Sequence, residues 1–570
     1  MRKTIISTLL FCCLANLVWA EDLKIKIDKK FINFPATSDG DESLVEIFID
    51  GKKEFYFDII LDEDETDFWV FLDVSKFKGK TAILKSNIEN TDVLKKIYQS
   101  DERKYLKNVY KEKYRPQVHF STMRGWMNDV NGLVYYDGEY HMFHQHNPYG
   151  WGWGNMHWGH AVSTDLVHWK QLPEALYPDH TGTAFSGSCV IDYKNTSGFK
   201  TGENDVMVAI YTTWHRQIGE RQNIAYSNDK GRTWTKYENN PVISDREKKL
   251  KSGNTRDPNV FWHKGIKKWV MILFERIGNT IFTSDDLKTW KEESHFETFW
   301  ECPELFELPV DGNPNNTKWV VYGVNGDYLI GDFDGRKYTK QAGLFNYING
   351  PFLAAQTFEN IPEKDGRRIQ IGWGYIQTDD MPFNCVMTFP TELTLRTTPN
   401  GIRMFNEPVE EIKKLHKKTY RPGNVTVREA NRLLRKIDTE LLHIKFELEN
   451  LSAINYGIQI DDAVIKYDLK DNNFTYTKLR GRRDHEHQGA EFELEPFKSK
   501  YLPDLASNII SYEIILDRTS LEVFIDKGRY TIVLPRTLNP VNKAVQFMVG
   551  EDGVIKINGL EVYELESIWR

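Results

Sequence analysis

One local pattern recurs three times in the middle of this chain, and it constrains the fold more than any other feature. Ser163-x-Asp165 is followed by Trp169, Ser227-x-Asp229 by Trp234, and Ser284-x-Asp286 by Trp290. The serines lie 64 and 57 residues apart, and apolar β-type runs at 206–211 and 269–274 fall between the copies. A repeat of that length holds one four-stranded blade of a β-propeller, because a single blade cannot bury both of its faces and must stack on its neighbours. The span from about residue 115 to about residue 406 then accommodates roughly five blades. In each copy the Ser and Asp are expected to cap a tight turn and the Trp to wedge between blades, so these residues are assigned to structure rather than chemistry.

The flanks read differently. Between residues 23 and 90, Leu23, Ile25 and Ile27 alternate with charges, as do Phe55, Phe57 and Ile59 after an Asp50-Gly51 turn, which predicts a small β domain. Residues 91–114 hold Lys, Glu, Asp, Leu and Tyr without Gly or Pro, the composition of a helical connector. A basic bridge containing Pro and Gly follows Glu407 through about residue 439, and alternation then resumes at Tyr512, Ile514 and Leu516 and at Leu521, Val523 and Ile525, with a turn at Asp526-Lys527-Gly528. That pattern predicts a terminal β-sandwich. The expected class is all-β: a leader at 1–20, an N-terminal β domain with its connector at 21–110, a five-bladed propeller at 111–406, and a linker with C-terminal sandwich at 407–570.

The leader has Arg2 and Lys3, an apolar run to Trp19, and Val18-Trp19-Ala20 before Glu21, as a secretory signal requires. Cys12 and Cys13 raise lipid attachment, but Phe11 and Cys12 precede them where a lipoprotein signal wants a small residue, so export to the periplasm or medium without an anchor is expected. No later stretch is apolar enough to span a membrane. Cys189, Cys302 and Cys385 are too few and too scattered for a disulfide framework. The net charge of -8 comes from 82 acidic and 74 basic residues spread along the chain, which excludes the dense basic footprint of a nucleic-acid binder and favours a neutral ligand. Sixteen Trp and 27 Tyr agree with that, since flat ring faces suit sugars.

Carboxylates embedded in aromatic, turn-rich surroundings occur at three places. Trp126-Met127-Asn128-Asp129-Val130-Asn131-Gly132 opens the propeller, and Asp129 reads either as a turn residue or as a reactive carboxylate. Arg256-Asp257-Pro258 precedes another strand and reads either as a surface ion pair or Asx-turn, or as part of a site. Trp300-Glu301-Cys302-Pro303-Glu304-Leu305 puts two glutamates in an apolar run, where an unpaired carboxylate is unfavourable to bury, so the choice is a structural ion pair or a functional acid. Hydrolysing a glycosidic bond with retention takes two carboxyl groups about 5 to 5.5 Å apart. His119, His141, His144, His146, His157 and His160 cluster in sequence but are assigned to hydrogen bonding within a blade, and no metal is called for. Cys302 is assigned to packing.

These three motifs, in this order and spacing, resemble glycoside hydrolase family 32, the invertases, inulinases, levanases and fructan exohydrolases. The resemblance extends to Phe143-His144-Gln145-His146-Asn147-Pro148, to Trp153-Gly154-Asn155-Met156-His157-Trp158-Gly159-His160, to Phe185-Ser186-Gly187-Ser188, and to Ser520-Leu521-Glu522-Val523-Phe524. It covers about residues 115–570 and implies a five-bladed propeller joined to a sandwich. It also implies Asp129 as nucleophile, Glu301 as general acid/base, and Asp257 as the group that holds fructosyl hydroxyls and stabilises the transition state. Asn128, Gln145, Trp153, Phe185, Ser186 and Arg256 would line the pocket, with Trp373 serving either the pocket or the packing of the last blade. Val130 stands where the family usually has Pro, which loosens the turn and adds a donor.

What the resemblance implies is release of terminal β-D-fructofuranosyl units from levan, inulin or sucrose by carboxylates alone, with no cofactor. Endo attack and transfer to a second sugar remain open, as do linkage preference and oligomeric state. The reading from another class is a non-catalytic fructan binder, against which stands the presence of all three acids. The N-terminal domain lies outside the resemblance.

Overall fold

The computed structural model describes residues 22–569 apart from 38–39, 62–65, 89–90, 104–107, 245–253, 277, 379–380, 462, 471–472, 479–507, 537–544 and 552. The leader, with Cys12 and Cys13, lies outside the described residues. The chain divides into two compact units, Met1–Leu106 and Lys107–Arg570.

In the first unit a four-stranded sheet (Leu23–Lys26, Thr81–Ser86, Ser43–Ile49, Lys52–Ile59) packs on a three-stranded one (Phe68–Asp73, Phe31–Ala36, Tyr98–Ser100), with Phe34 edge-on to Phe57 between them. Asp50 and Gly51 form the two-residue hairpin turn, both at positive φ, the mirror-image turn whose twist matches that of the strands. Among the described residues of 91–114 the expected helical connector is not formed. A short 3-10 helix, Thr91–Lys96, buries Val93 and Leu94 and gives way to the strand Tyr98–Ser100, which pairs with Phe31–Ala36. Sheet pairing there overrides the composition of the segment.

The second unit opens with sheets of five, four, four and nine strands, mainly antiparallel, and the nine-stranded sheet joins the last two of five successive blades of a propeller through a parallel bridge. Their first strands are β1 (Gly125–Tyr136), β2 (Thr183–Asp192), β3 (Thr255–His263), β4 (Glu304–Val310) and β5 (Phe352–Thr357). Hydrogen bonds tie these first strands into a ring. The Ser188 hydroxyl on β2 donates to the Pro258 carbonyl on β3, Asn259 on β3 donates to Glu304 on β4, and Thr357 on β5 donates to the same Glu304. Gln356 on β5 donates back to the Gly187 carbonyl on β2, and the Phe383–Asn384 strand closes the circle by pairing with β1.

The repeated turn is structural, as its sequence suggests. Asp165, Asp229 and Asp286 each accept from two backbone N–H groups downstream, and the Trp169, Trp234 and Trp290 indoles each donate to the carbonyl three residues upstream. Leu166, Lys230 and Leu287, the residues after each Asp, sit at positive φ. A fourth copy centres on Asp334, which accepts from Arg336 and Lys337. It escaped the sequence pattern because Tyr338 replaces the Trp and no Ser precedes it.

A two-sheet sandwich ends the unit, seven strands facing four, around Ile444, Leu448, Ile458, Ile514, Val523, Ile557 and Val562. The basic segment after Glu407 does more than link. His416–Val425 is an edge strand of the larger sheet, and Val427–Leu434 is a helix started by a capping box between Thr426 and Glu429. His119 joins propeller to sandwich. Its ring nitrogens lie 2.9 Å from Asp517 and 3.2 Å from Glu522, and Asp517 also accepts the Gln117, Val118 and His119 N–H groups. These buried carboxylates push the His119 imidazole up to about 9 against the opposing effect of its burial.

Candidate active site

Four of the five first strands lose register near their starts, between Met127 and Val130, Ala184 and Gly187, Arg256 and Asn259, and Leu353 and Gln356. A bulge turns the residues within it out of the ladder. Here those residues are Asn128 and Asp129 on β1, Phe185 and Ser186 on β2, and Asp257 on β3. Gly187 permits the second bulge, since a Cβ there would stand 2.1 Å from the Ile210 carbonyl oxygen. Ahead of β4, Gly323 lets the 299–302 loop lie close, a Cβ there meeting Phe299 at 2.4 Å. Asp257, Glu301 and Cys302 all adopt positive φ, a conformation that non-glycine residues hold only when their surroundings impose it.

These devices bring the three acids to one place. Ser186 Oγ donates to Asp129 Oδ2 at 2.6 Å, and Asn128 Nδ2 donates to Oδ1 at 3.1 Å, Asn128 itself being held by the Trp126 indole at 2.9 Å. The Cys302 thiol stands 3.8 Å from Asp129 Oδ2 and 3.6 Å from Asp257 Oδ2, and the Cys302 N–H donates to that same Asp257 oxygen at 3.2 Å. Arg256 pairs through Nη2 with Glu301, and its Nε lies 3.8 Å from Asp257. Glu301 keeps 30% of its side chain exposed and rests on Arg256.

The electrostatics follow from that crowding. Burial raises the Asp129 carboxyl above its ordinary value, and the Ser186 and Asn128 hydrogen bonds pull it back. Asn131, two residues on, faces Gln145. Asp257 is pushed up to about 7, first by burial and further by the negative Asp129 and Glu301, with Arg256 opposing. Burial, and then the three acids around it, lift the Cys302 thiol well above its ordinary value, so it is a neutral donor and no nucleophile.

The other expected pocket residues assemble around this centre. Gln145 is buried and donates to the Ala184 carbonyl at 3.0 Å. Phe185 stacks parallel to Trp214 and edge-on to Trp153, whose ring is 57% exposed. Trp373 packs edge-on against Trp126, 5.8 Å between centroids, and so braces the indole that holds Asn128. Val130, in the place of the family's Pro, is buried and pairs with His144, where the ladder resumes after the break at Met127.

Sequence reasoning missed several contributors. Cys302 was assigned to packing yet touches both aspartates. Glu220, 6% exposed, accepts from Arg256 Nη1 at 2.9 Å and from the Thr255 N–H at 2.6 Å, and Thr212 accepts the Asp257 N–H. Glu220 gives no sequence signal, standing among Gly219, Arg221, Gln222 and Asn223, and Thr212 only follows the apolar run at 206–211. Of the clustered histidines, His141 bonds to His160, His146 to Glu174 and the Arg124 carbonyl, and His157 to the Asn155 carbonyl, whereas neither ring nitrogen of the buried His144 has a hydrogen-bond partner among the described residues, contrary to the expectation for it.

The chain is similar to known proteins over most of its length. The profile described as Glycosyl hydrolases family 32 N-terminal domain matches residues 119–408. The chain is 38% identical over 497 residues to a levanase of Bacillus subtilis, covering 81% of this chain and 72% of that one. It is 32% identical over 530 residues to an extracellular exo-inulinase of Aspergillus niger, covering 81% and 96%. The crystal structure of an exo-inulinase from Aspergillus awamori superposes with a TM-score of 0.68 at 29% identity, over 81% of this chain and all of the other. The chain belongs to glycoside hydrolase family 32.

Proposed function

We propose that this protein is a retaining glycosidase that releases terminal β-D-fructofuranosyl units from levan, inulin and sucrose. Relatives named levanase, exo-inulinase and invertase support the substrate class. The observation that carries the mechanism is the convergence of Asp129 and Asp257 on the Cys302 thiol, next to Glu301 in the chain.

Asp129 attacks the anomeric carbon, its Oδ2 aimed by Ser186 and its charge spread by Asn128. Glu301 protonates the departing oxygen and later takes a proton from water, which releases the sugar from Asp129. Asp257 receives the fructosyl hydroxyls and stabilises the oxocarbenium-like transition state. Exo action is favoured by the floor beneath these groups. Glu304 accepts from both Asn259 and Thr357, all three under 5% exposed, and this buried network between the first strands favours a site that takes a chain end over one that lets a chain run through. Trp153 and Phe185 offer ring faces at its mouth. Export by the leader at 1–20 belongs to the same proposal.

Incubation with sucrose, inulin and levan followed by chromatography tests it. Free fructose is the expected first product from each; a ladder of oligomers would refute exo action, and no release from any of the three would refute the activity.

A further inference from the structure

Arg256 is a single cation set among three carboxylates. Nη2 pairs with Glu301, Nε lies 3.8 Å from Asp257, and Nη1 donates to Glu220 at 2.9 Å and to Asn254 at 2.8 Å. Glu220 comes from the third strand of the second blade, Gly219–Ser227, opposite Trp214. Its side chain is 5% exposed and its second oxygen is fixed by the Thr255 N–H at 2.6 Å, so it cannot swing away. An ionised side chain at that depth is favourable only while its partners hold it.

We propose that Glu220 is a positioning residue: it anchors one arm of the Arg256 guanidinium so that the other meets Glu301, and it shares the cation's charge so that this charge does not fall wholly on the acid. The inference rests on the reading of Glu301 as acid/base. A guanidinium held by one carboxylate alone favours the ionised form of that carboxylate strongly. A general acid beside a cation therefore needs the cation partly neutralised, and Glu220 is a carboxylate on Arg256 that lies outside the reacting group. Among the described residues, the charged groups placed against this pair are Glu220 and Asp257 on Arg256, and Arg256 on Glu301.

Glu220→Gln removes the charge and keeps an acceptor. The basic limb of its kcat/KM profile on sucrose should move toward acid by about half to one pH unit. KM should stay within about twofold, and activity on the acid side should return to within about threefold of wild type. Glu220→Asp keeps the charge but withdraws it by one methylene, so it should leave the limb in place and lower kcat. A limb that stays put in Glu220→Gln, or moves equally in Glu220→Asp, overturns the proposal. Thermal melting of both variants identifies any loss of activity that comes from unfolding. Glu301→Gln, measured alongside, separates the two readings: full sucrose turnover by that variant removes the acid assignment and this role with it, whereas its inactivity with an unmoved Glu220→Gln limb removes this role alone.

Discussion

The Ser186 hydroxyl reaches across from the second blade to donate to Asp129 Oδ2 on the first, at 2.6 Å. Each partner lies inside a break in its strand's register, so the contact exists because two separate bulges aim side chains at one axis. The fold supplies the convergence and the hydrogen bond supplies the aim.

Removing that hydroxyl tests how far catalysis depends on aim. A hydrogen bond to a charged group contributes about 1.5–3 kcal/mol, and each 1.36 kcal/mol corresponds to about a factor of ten in rate. Ser186→Ala should lower kcat on sucrose by roughly 10- to 100-fold with an unchanged melting temperature. Wild-type kcat would show that Asp129 needs no such support.

Trp153 should behave in the opposite way. Its ring is exposed and edge-on to Phe185, 5.9 Å between centroids, where it can meet substrate but not the reacting atoms. An aromatic contact contributes about 0.5–1.5 kcal/mol, so Trp153→Ala should raise KM by roughly 2- to 12-fold and leave kcat close to wild type. A kcat loss at constant KM would place the residue deeper in the chemistry.

Two buried carboxyls make stability fall as pH rises. Asp257 and Glu304 are pushed up to about 7 and about 8 in the folded chain, in both cases chiefly by burial. The unfolded chain sheds these protons near pH ~4. Between there and about 8 the folded state binds more protons than the unfolded one, so the folded state loses stability with each rise in pH. Glu304→Gln should flatten this decline in urea melts between acid and mildly alkaline pH, and an equally steep slope in the variant would contradict the assignment.

At the joint between propeller and sandwich, His119→Ala should be far more damaging than its single position suggests. It strands Asp517 and Glu522, both buried, and breaking such a pair removes about 3–5 kcal/mol. In the intact protein the folded imidazole is raised to about 9, so its contribution is complete below its unfolded value near ~6.5 and disappears as pH rises through about 9. A urea midpoint unaffected by the substitution would refute this.

The turn repeat disclosed the blades because an Asp that caps a turn and a Trp that fills a blade seam must recur wherever blades recur. Asp129, Asp257 and Glu301 were legible through their motifs, and the structure brings them together. What stayed hidden has a common cause. Glu220, Thr212 and Cys302 act through register and loop conformation, and neither the bulge at Ala184 and Gly187 nor the positive φ of Cys302 leaves a periodic trace. Residues 91–114 misled for the converse reason, since composition favours a helix there while Tyr98–Ser100 finds a sheet edge.

The most direct test of the mechanism is the intact mass of Glu301→Gln after mixing with a fructosyl donor whose leaving group needs no acid. Attack by Asp129 then proceeds while release by water is slow, so the protein should become heavier by one fructosyl unit, mapped by peptide digestion to Asp129 and absent from Asp129→Asn. A protein that never gains the sugar while the donor is consumed, or that carries it on another residue, would contradict the account.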